Sequence, residues 1–148
     1  MDINAFLNDI LKQDRARLAA YFCPEAVIRW HCTNEQFTVG EFIRVNCDYP
    51  GEWDGEIERI ERHGDSIITA VRVFPTDRSA SFHVVSFFTL RDDKIAALDE
   101  YWADDGDAPE WRKAIMNKTE KRLDGLMTGE FRPMEQNEKL PLEELITL

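Results

Sequence analysis

The sequence predicts an α+β fold, with helices gathered at the front of the chain and a meander of strands behind them. Three observations carry that expectation. The opening residues Ile3, Phe6, Leu7, Ile10 and Leu11 recur at i, i+3, i+4, i+7 and i+8, the period of an amphipathic helix. From position 56 onward, β-branched and aromatic runs are separated by two-residue turn signals, Gly64-Asp65 and Asp92-Asp93. No glycine-rich phosphate loop and no internal repeat argue for a doubly wound or repetitive architecture.

Taken in order, Asp2 is placed to cap the first helix. Asp14 can cap a second over 15–22, which Pro24 stops. Residues 27–32 form a first strand, and Thr38 caps a helix over 39–47 with Phe42, Ile43 and Asn46 on one side. YPGEWDG is a turn-rich break. Strands over 56–62 and 66–74 flank the Gly64-Asp65 turn, and strands over 79–90 and 95–103 flank Asp92-Asp93. DDGDAPEWR then leads into a short helix, with Pro109 at its first turn. These elements define one domain over 1–117. The remainder, 118–148, is polar and turn-rich with a terminal apolar cluster, and is expected to dock on its own subunit or a twin, or to stay partly disordered.

Composition narrows the function classes. The 148 residues carry 18 Lys plus Arg against 29 Asp plus Glu, a net charge of −11 that repels phosphate backbones, so no nucleic-acid partner is expected. No apolar run approaches the ~20 residues of a membrane span, and the acidic start does not resemble a signal peptide, so no membrane partner and a cytoplasmic location are expected. Three cysteines without a CxxC pair give neither a disulfide framework nor a zinc site. The run Asp104-Asp105-Gly106-Asp107 lacks the spacing of a calcium loop. No metal and no cofactor are expected.

The last hairpin concentrates the chemistry. A two-residue turn at Asp92-Asp93 makes cross-strand partners sum to 185, setting Phe87 opposite Leu98, Val85 opposite Glu100 and His83 opposite Trp102. Period-2 alternation puts all six on one face. A carboxyl among Val85, Leu98 and Trp102 is desolvated, which raises its pKa and suits it to proton transfer near neutrality, with His83 as a relay. The alternatives are that Arg72 neutralises Glu100 from a neighbouring strand and that His83 is a core histidine bonded to a carbonyl. Trp30 shares the cavity face by strand parity and can clamp a flat apolar ligand with Trp102, while Trp53 caps the mouth from its loop. The opposite sheet face is also apolar and suits a homodimer.

Residues 24–43, 46–61, 82–95 and 99–112 together resemble the nuclear transport factor 2-like superfamily, and more narrowly its SnoaL-like proteins. That resemblance implies a cone-shaped barrel, N-terminal helices packed on a curved, mostly antiparallel sheet, around a deep apolar cavity. It implies a cofactor-independent isomerase, cyclase or dehydratase acting on an apolar carbonyl compound, or a binding or interaction module of the same fold. The cavity-facing acid on the last strand of cyclase-like and epoxide-hydrolase-like members matches Glu100, a glutamate where they carry aspartate. The catalytic aspartate of ketosteroid isomerases falls on Trp30, an indole that cannot abstract a proton, and their first-helix tyrosine has no counterpart. For the epoxide hydrolase relay, Arg72 and Asn46 are available parts, without a second acid. The expected site is thus Glu100 and His83 as catalytic groups, with Trp30, Phe42, Trp53, Arg72, Val85, Phe87, Leu98 and Trp102 around the ligand.

Overall fold

In the computed structural model the described residues are 1–119, with side chains described through Met116. They form two compact units, Met1–Asp105 and a second that begins at Gly106. The first unit contains α1 (Ile3–Leu11), α2 (Arg15–Leu18), β1 (Phe22–Trp30), β2 (Glu35–Phe37), α3 (Val39–Asp48), β3 (Trp53–His63), β4 (Ser66–Pro75), β5 (Phe82–Arg91) and β6 (Lys94–Asp104). The second contains α4 (Glu110–Thr119), whose first turn closes on Pro109 through the amides of Arg112 and Lys113. The remainder of the expected C-terminal extension lies outside the described residues.

The α+β expectation holds, and the six strands make one sheet in the order β2-β1-β6-β5-β4-β3. All neighbours are antiparallel except β1 and β6, which run parallel. The helix starts follow their caps. The Asp2 carboxylate accepts from Ala5 N at 3.0 Å, and Thr38 and Glu41 form a reciprocal capping box at the head of α3. Both central residues of the Asp92-Asp93 turn have positive φ, 51° and 63°, the geometry that matches strand twist in a two-residue hairpin.

Several local expectations change, among them the stretch expected to be a turn around Trp53, where β3 already begins at Trp53 rather than at 56. The second helix gives way to a single 3-10 turn at Ala19–Tyr21, and β1 begins at Phe22 rather than at 27. Pro24 therefore sits inside a strand, where the β1–β6 register shifts between Phe22 and Val27 and a missing N–H is tolerated. The short strand β2 has only three residues, too few for a period-2 pattern to be legible.

The core lies between α1–α3 and the inner sheet face. Phe6 anchors it, meeting Tyr21, Phe22 and Phe88 edge-on with ring centroids at 5.2, 5.8 and 5.5 Å. Gly55 marks the closest approach, since a Cβ there would lie 3.0 Å from both Arg72 O and a Leu11 methyl. Asp9 is a buried acid on α1, and Tyr21 Oη donates to it at 2.6 Å. That bond, burial and the Asp9 charge push the Tyr21 phenol up to about 12. Tyr21→Phe leaves the Asp9 carboxylate without this donor and is expected to cost roughly 1–3 kcal/mol. Urea unfolding of the two proteins measures the difference, and equal midpoints would contradict it.

Candidate functional site

The site is built from a row of residues that cross the sheet in register. Glu35 on β2 pairs with Trp30 on β1, Trp30 with Glu100 on β6, Glu100 with Ser86 on β5, and Ser86 with Thr69 on β4. One strand over at each step, side chains in register share a face, and this row points toward the helices. A second row, Trp102, Val84 and Val71, lies one pleat step further along, and Asp104, Phe82 and Val73 make a third. Opposite, α3 contributes Phe42, Val45 and Asn46 at helical spacing, with Tyr49 just past its end, and α1 contributes Phe6, Leu7, Ile10 and Leu11. Between these walls is an open cavity of about 330 Å³.

Glu100 lies in the wall with only 8% of its surface exposed. Ser86 Oγ donates to its Oε2 at 2.5 Å and Trp30 Nε1 donates to its Oε1 at 3.0 Å. No arginine, lysine or histidine lines the cavity among the described residues. Burial therefore pushes the Glu100 carboxyl above the usual carboxylate range, and the bonds from Ser86 and Trp30 and the nearby Trp102 indole pull back only part of that rise. Trp102 Nε1 is itself buried without a hydrogen-bond partner, as is Thr69 Oγ1. The Trp102 N–H lies close enough to the Glu100 carboxyl to lower its pKa but makes no full hydrogen bond with it, so an acceptor on a ligand can still complete that donor.

The hairpin arithmetic holds at the turn and fails beyond it. Arg91 pairs with Lys94 and Leu90 with Ile95, but Thr89 then pairs with Ala97, leaving Ala96 as a one-residue bulge. From there partners sum to 186, and every β5 side chain is exchanged for its neighbour on the opposite face. Ser86 and Val84 take the inner positions assigned to Phe87, Val85 and His83. Those three lie on the outer face with Asp99 and Tyr101, away from Glu100. Leu98 keeps its inner position but is sealed in the core, away from the cavity surface.

Trp30, Phe42, Trp53, Glu100 and Trp102 do line the cavity. Trp30 and Trp102 meet at 6.2 Å with planes inclined by 66°, an edge contact rather than parallel jaws. Trp53 is held at the rim by its Nε1–H bond to Pro50 O at 3.0 Å and packs on Tyr49 and Phe82. Asn46 Nδ2 donates to Ile10 O, tying α3 to α1. Glu35, Ser86 and Asp104 also border the cavity. A register summing to 185 would turn Ser86 to the opposite face, and Glu35 belongs to a strand too short for its face to be read.

Arg72 does not reach Glu100 either. It lies on the outer face, where its Nε donates to Ser81 Oγ at 2.9 Å and stands 3.9 Å from Asp105. His83 joins the same cluster, its Nδ1 on Asp105 and its Nε2 at 3.0 Å from Glu58. The Asp105 bond raises the His83 pKa above its ordinary 6.5, aided by Glu58 and opposed by partial burial. Burial pulls Asp105 upward, but its bonds from Ser81 and His83 and the Arg72 charge outweigh this and hold it low.

The fold is that of the nuclear transport factor 2-like class. The SnoaL-like domain family matches residues 3–98, and the chain belongs to that family. No curated protein matches the chain. Among solved structures it is similar to a Kribbella flavida protein with a proposed ketosteroid isomerase assignment, at 18% identity and a TM-score of 0.66, covering 76% of this chain and 83% of that one. An LEH-like epoxide hydrolase of Mycobacterium tuberculosis matches at 17% identity and a TM-score of 0.57, over 68% and 79% of the two chains. A ketosteroid isomerase-like fold from Catenulispora acidiphila, solved with trimethylamine, matches at 12% and 0.59, over 67% and 82%. At these identities the likeness establishes the fold. Among the described residues no helix is long and apolar enough to cross a membrane.

The outer cluster has a pH signature. A raised folded-state pKa means that His83 contributes stability in full below its unfolded value of about 6.5, and that this is lost as pH rises through the folded value. The depressed Asp105 acts in the other direction, losing its contribution only as pH falls below about 4. The melting-temperature gap between wild type and His83→Gln is therefore expected to be largest near pH 5–6 and to shrink toward pH 9. A gap that stays constant across this range would contradict the assignment.

Proposed function

We propose that this chain is a small-molecule pocket protein whose cavity binds an apolar carbonyl compound, with Glu100 as the group that donates or accepts a proton. The observation that carries this reading is a buried Glu100, with no basic side chain beside it among the described residues, next to a Trp102 N–H that makes no full hydrogen bond, at one cavity wall. A protonated Glu100 accepts from Ser86 and Trp30 and still has one O–H to give. With the Trp102 N–H, that makes two donors for a carbonyl oxygen, and they favour charge that develops there. In its ionised form Glu100 takes the proton from the carbon beside the ligand's carbonyl while the Trp102 N–H favours the enolate oxygen, and the acid so formed returns that proton to a carbon of the same ligand, a cofactor-independent isomerisation. Trp30, Phe42 and Trp53 hold the apolar body of the ligand.

Binding without turnover is favoured by a separate observation: His83 lies on the far side of the sheet, so among the described residues no histidine or other base shares the cavity with Glu100 to relay its proton. A lone acid suffices to bind a carbonyl and for a one-group proton shuttle.

Both readings are tested by thermal shift with apolar ketones, lactones and epoxides. Ketones and lactones are expected to stabilise wild type, with most of the shift lost in Trp102→Phe, which keeps a ring and removes the N–H. Glu100→Gln keeps a hydrogen-bonding group at that position and is expected to abolish proton exchange at the ligand's α-carbon, read by deuterium incorporation. Exchange that persists in Glu100→Gln would remove the catalytic role, and the absence of any stabilising class would remove the ligand site.

The same reading assigns the outer face to a second copy of the chain. Val85, Phe87 and Tyr101 expose 36–45% of their surface there. His31 stacks on Tyr101 at 4.6 Å and also pairs with Asp99, so the patch carries both charge signs at its edge. A two-fold axis can make such a surface self-complementary. Phe87→Asp is expected to shift the protein from dimer to monomer in light scattering. A wild-type protein that is monomeric at tens of micromolar would exclude the dimer.

A further inference from the structure

The geometry points to a ligand that carries a basic amine at the end opposite its carbonyl, with the ammonium at the cavity mouth in the combined field of Glu35 and Asp104 and against the aromatic rim. The inference rests on the reading of the cavity as a small-molecule site and adds the charge and polarity of what enters it.

The cavity lining is one-signed. Glu35, Glu100 and Asp104 are its ionisable acids, and no basic side chain borders it among the described residues. The fold neutralises other carboxylates nearby: Asp48 meets Arg15 and Arg44, Asp99 meets Arg29 and His31, and Asp105 meets His83 and Arg72. Glu35 and Asp104 have no such counter-ion among the described residues, and both are exposed to solvent at the mouth. A cleft with low-dielectric walls and one sign of charge focuses its field, and the chain's net charge of −11 acts in the same direction. An anionic ligand is repelled.

The rim adds a second, independent attraction. Tyr49 and Trp53 stand 5.4 Å apart with planes inclined by 67°, and Phe82 lies 6.0 Å beyond Trp53. Inclined aromatic faces present their negative quadrupole to a cation, and alkylated ammonium groups fit such walls because they are weakly hydrated. The inner end asks for the opposite chemistry. The buried Trp102 N–H, beside Glu100 but without a full hydrogen bond, favours an acceptor, which an ammonium is not. The two ends therefore assign a polarity: the acceptor goes in, the cation stays out. In the cross-sheet row, Glu35 lies two strands from Glu100, about 10 Å away by strand spacing, so one small molecule can engage both ends. The volume of about 330 Å³ sits at the lower end of small-molecule pockets and suits a one-ring scaffold.

The test compares three probes of one shape by titration calorimetry: 4-acetyl-N,N,N-trimethylanilinium, its neutral isostere 4-tert-butylacetophenone, and 4-acetylbenzoate. The cation is expected to bind about tenfold more tightly than the neutral isostere, and the carboxylate not measurably. Raising sodium chloride to about 0.5 M is expected to reduce the preference, since the mouth charges are solvent-screened. In Glu35→Gln/Asp104→Asn the cation-to-neutral ratio should fall to within twofold. Equal binding of cation and neutral isostere, or a preference that survives the double substitution, overturns the inference and leaves the pocket reading standing. Failure of all three probes to bind overturns both.

Discussion

Glu100 is buried in an apolar wall without a counter-ion, and a carboxyl so placed costs several kcal/mol unless it stays neutral and its oxygens are hydrogen-bonded. Its surroundings follow from that requirement. Ser86 and Trp30 supply the two donors, and each reaches it because parallel pairing with β1 and antiparallel pairing with β5 bring them into one row. The helices opposite add apolar surface and no compensating base, so the acid's raised pKa is a property of the whole cone rather than of one neighbour.

The sheet separates two kinds of electrostatics. On its inner face, the cavity charges are negative and uncompensated, and the polar groups are few and directional. On the outer face, Arg72, Ser81, His83, Asp105 and Glu58 satisfy one another, as do Arg29, His31 and Asp99. A compensated surface network contributes to strand order and edge specificity, while an uncompensated cavity is the arrangement that a ligand can complete. The strand alternation that defines the two faces thus also divides structural charge from ligand-directed charge.

Much of this was legible in one dimension. Asp2 and Thr38 cap the helices they precede, the stripe from Ile3 to Leu11 faces inward, and Asp92-Asp93 closes a two-residue hairpin. Glu100, Trp30, Phe42 and Trp102 could be placed on the inner side by parity and by the family pattern. The face of β5 could not be placed. The error came from one extra residue, Ala96, whose small side chain gives no local sign that the ladder slips there. His83, Val85 and Phe87 changed faces together because period-2 alternation transmits a single slip to every residue beyond it.

What the sequence by itself determined was local and periodic: the helix caps, the apolar stripes, the turns, the net negative charge and the family. These depend on interactions within a few residues or on sums over the chain, and such information survives without a partner strand. Tertiary structure alone decided which β5 residues meet Glu100, that β2 brings Glu35 beside Trp30, and that Arg72 and His83 neutralise Asp105 instead of the buried acid. Each of these is a contact across strands, set by register, and register is a property of two chain segments that neither one encodes alone.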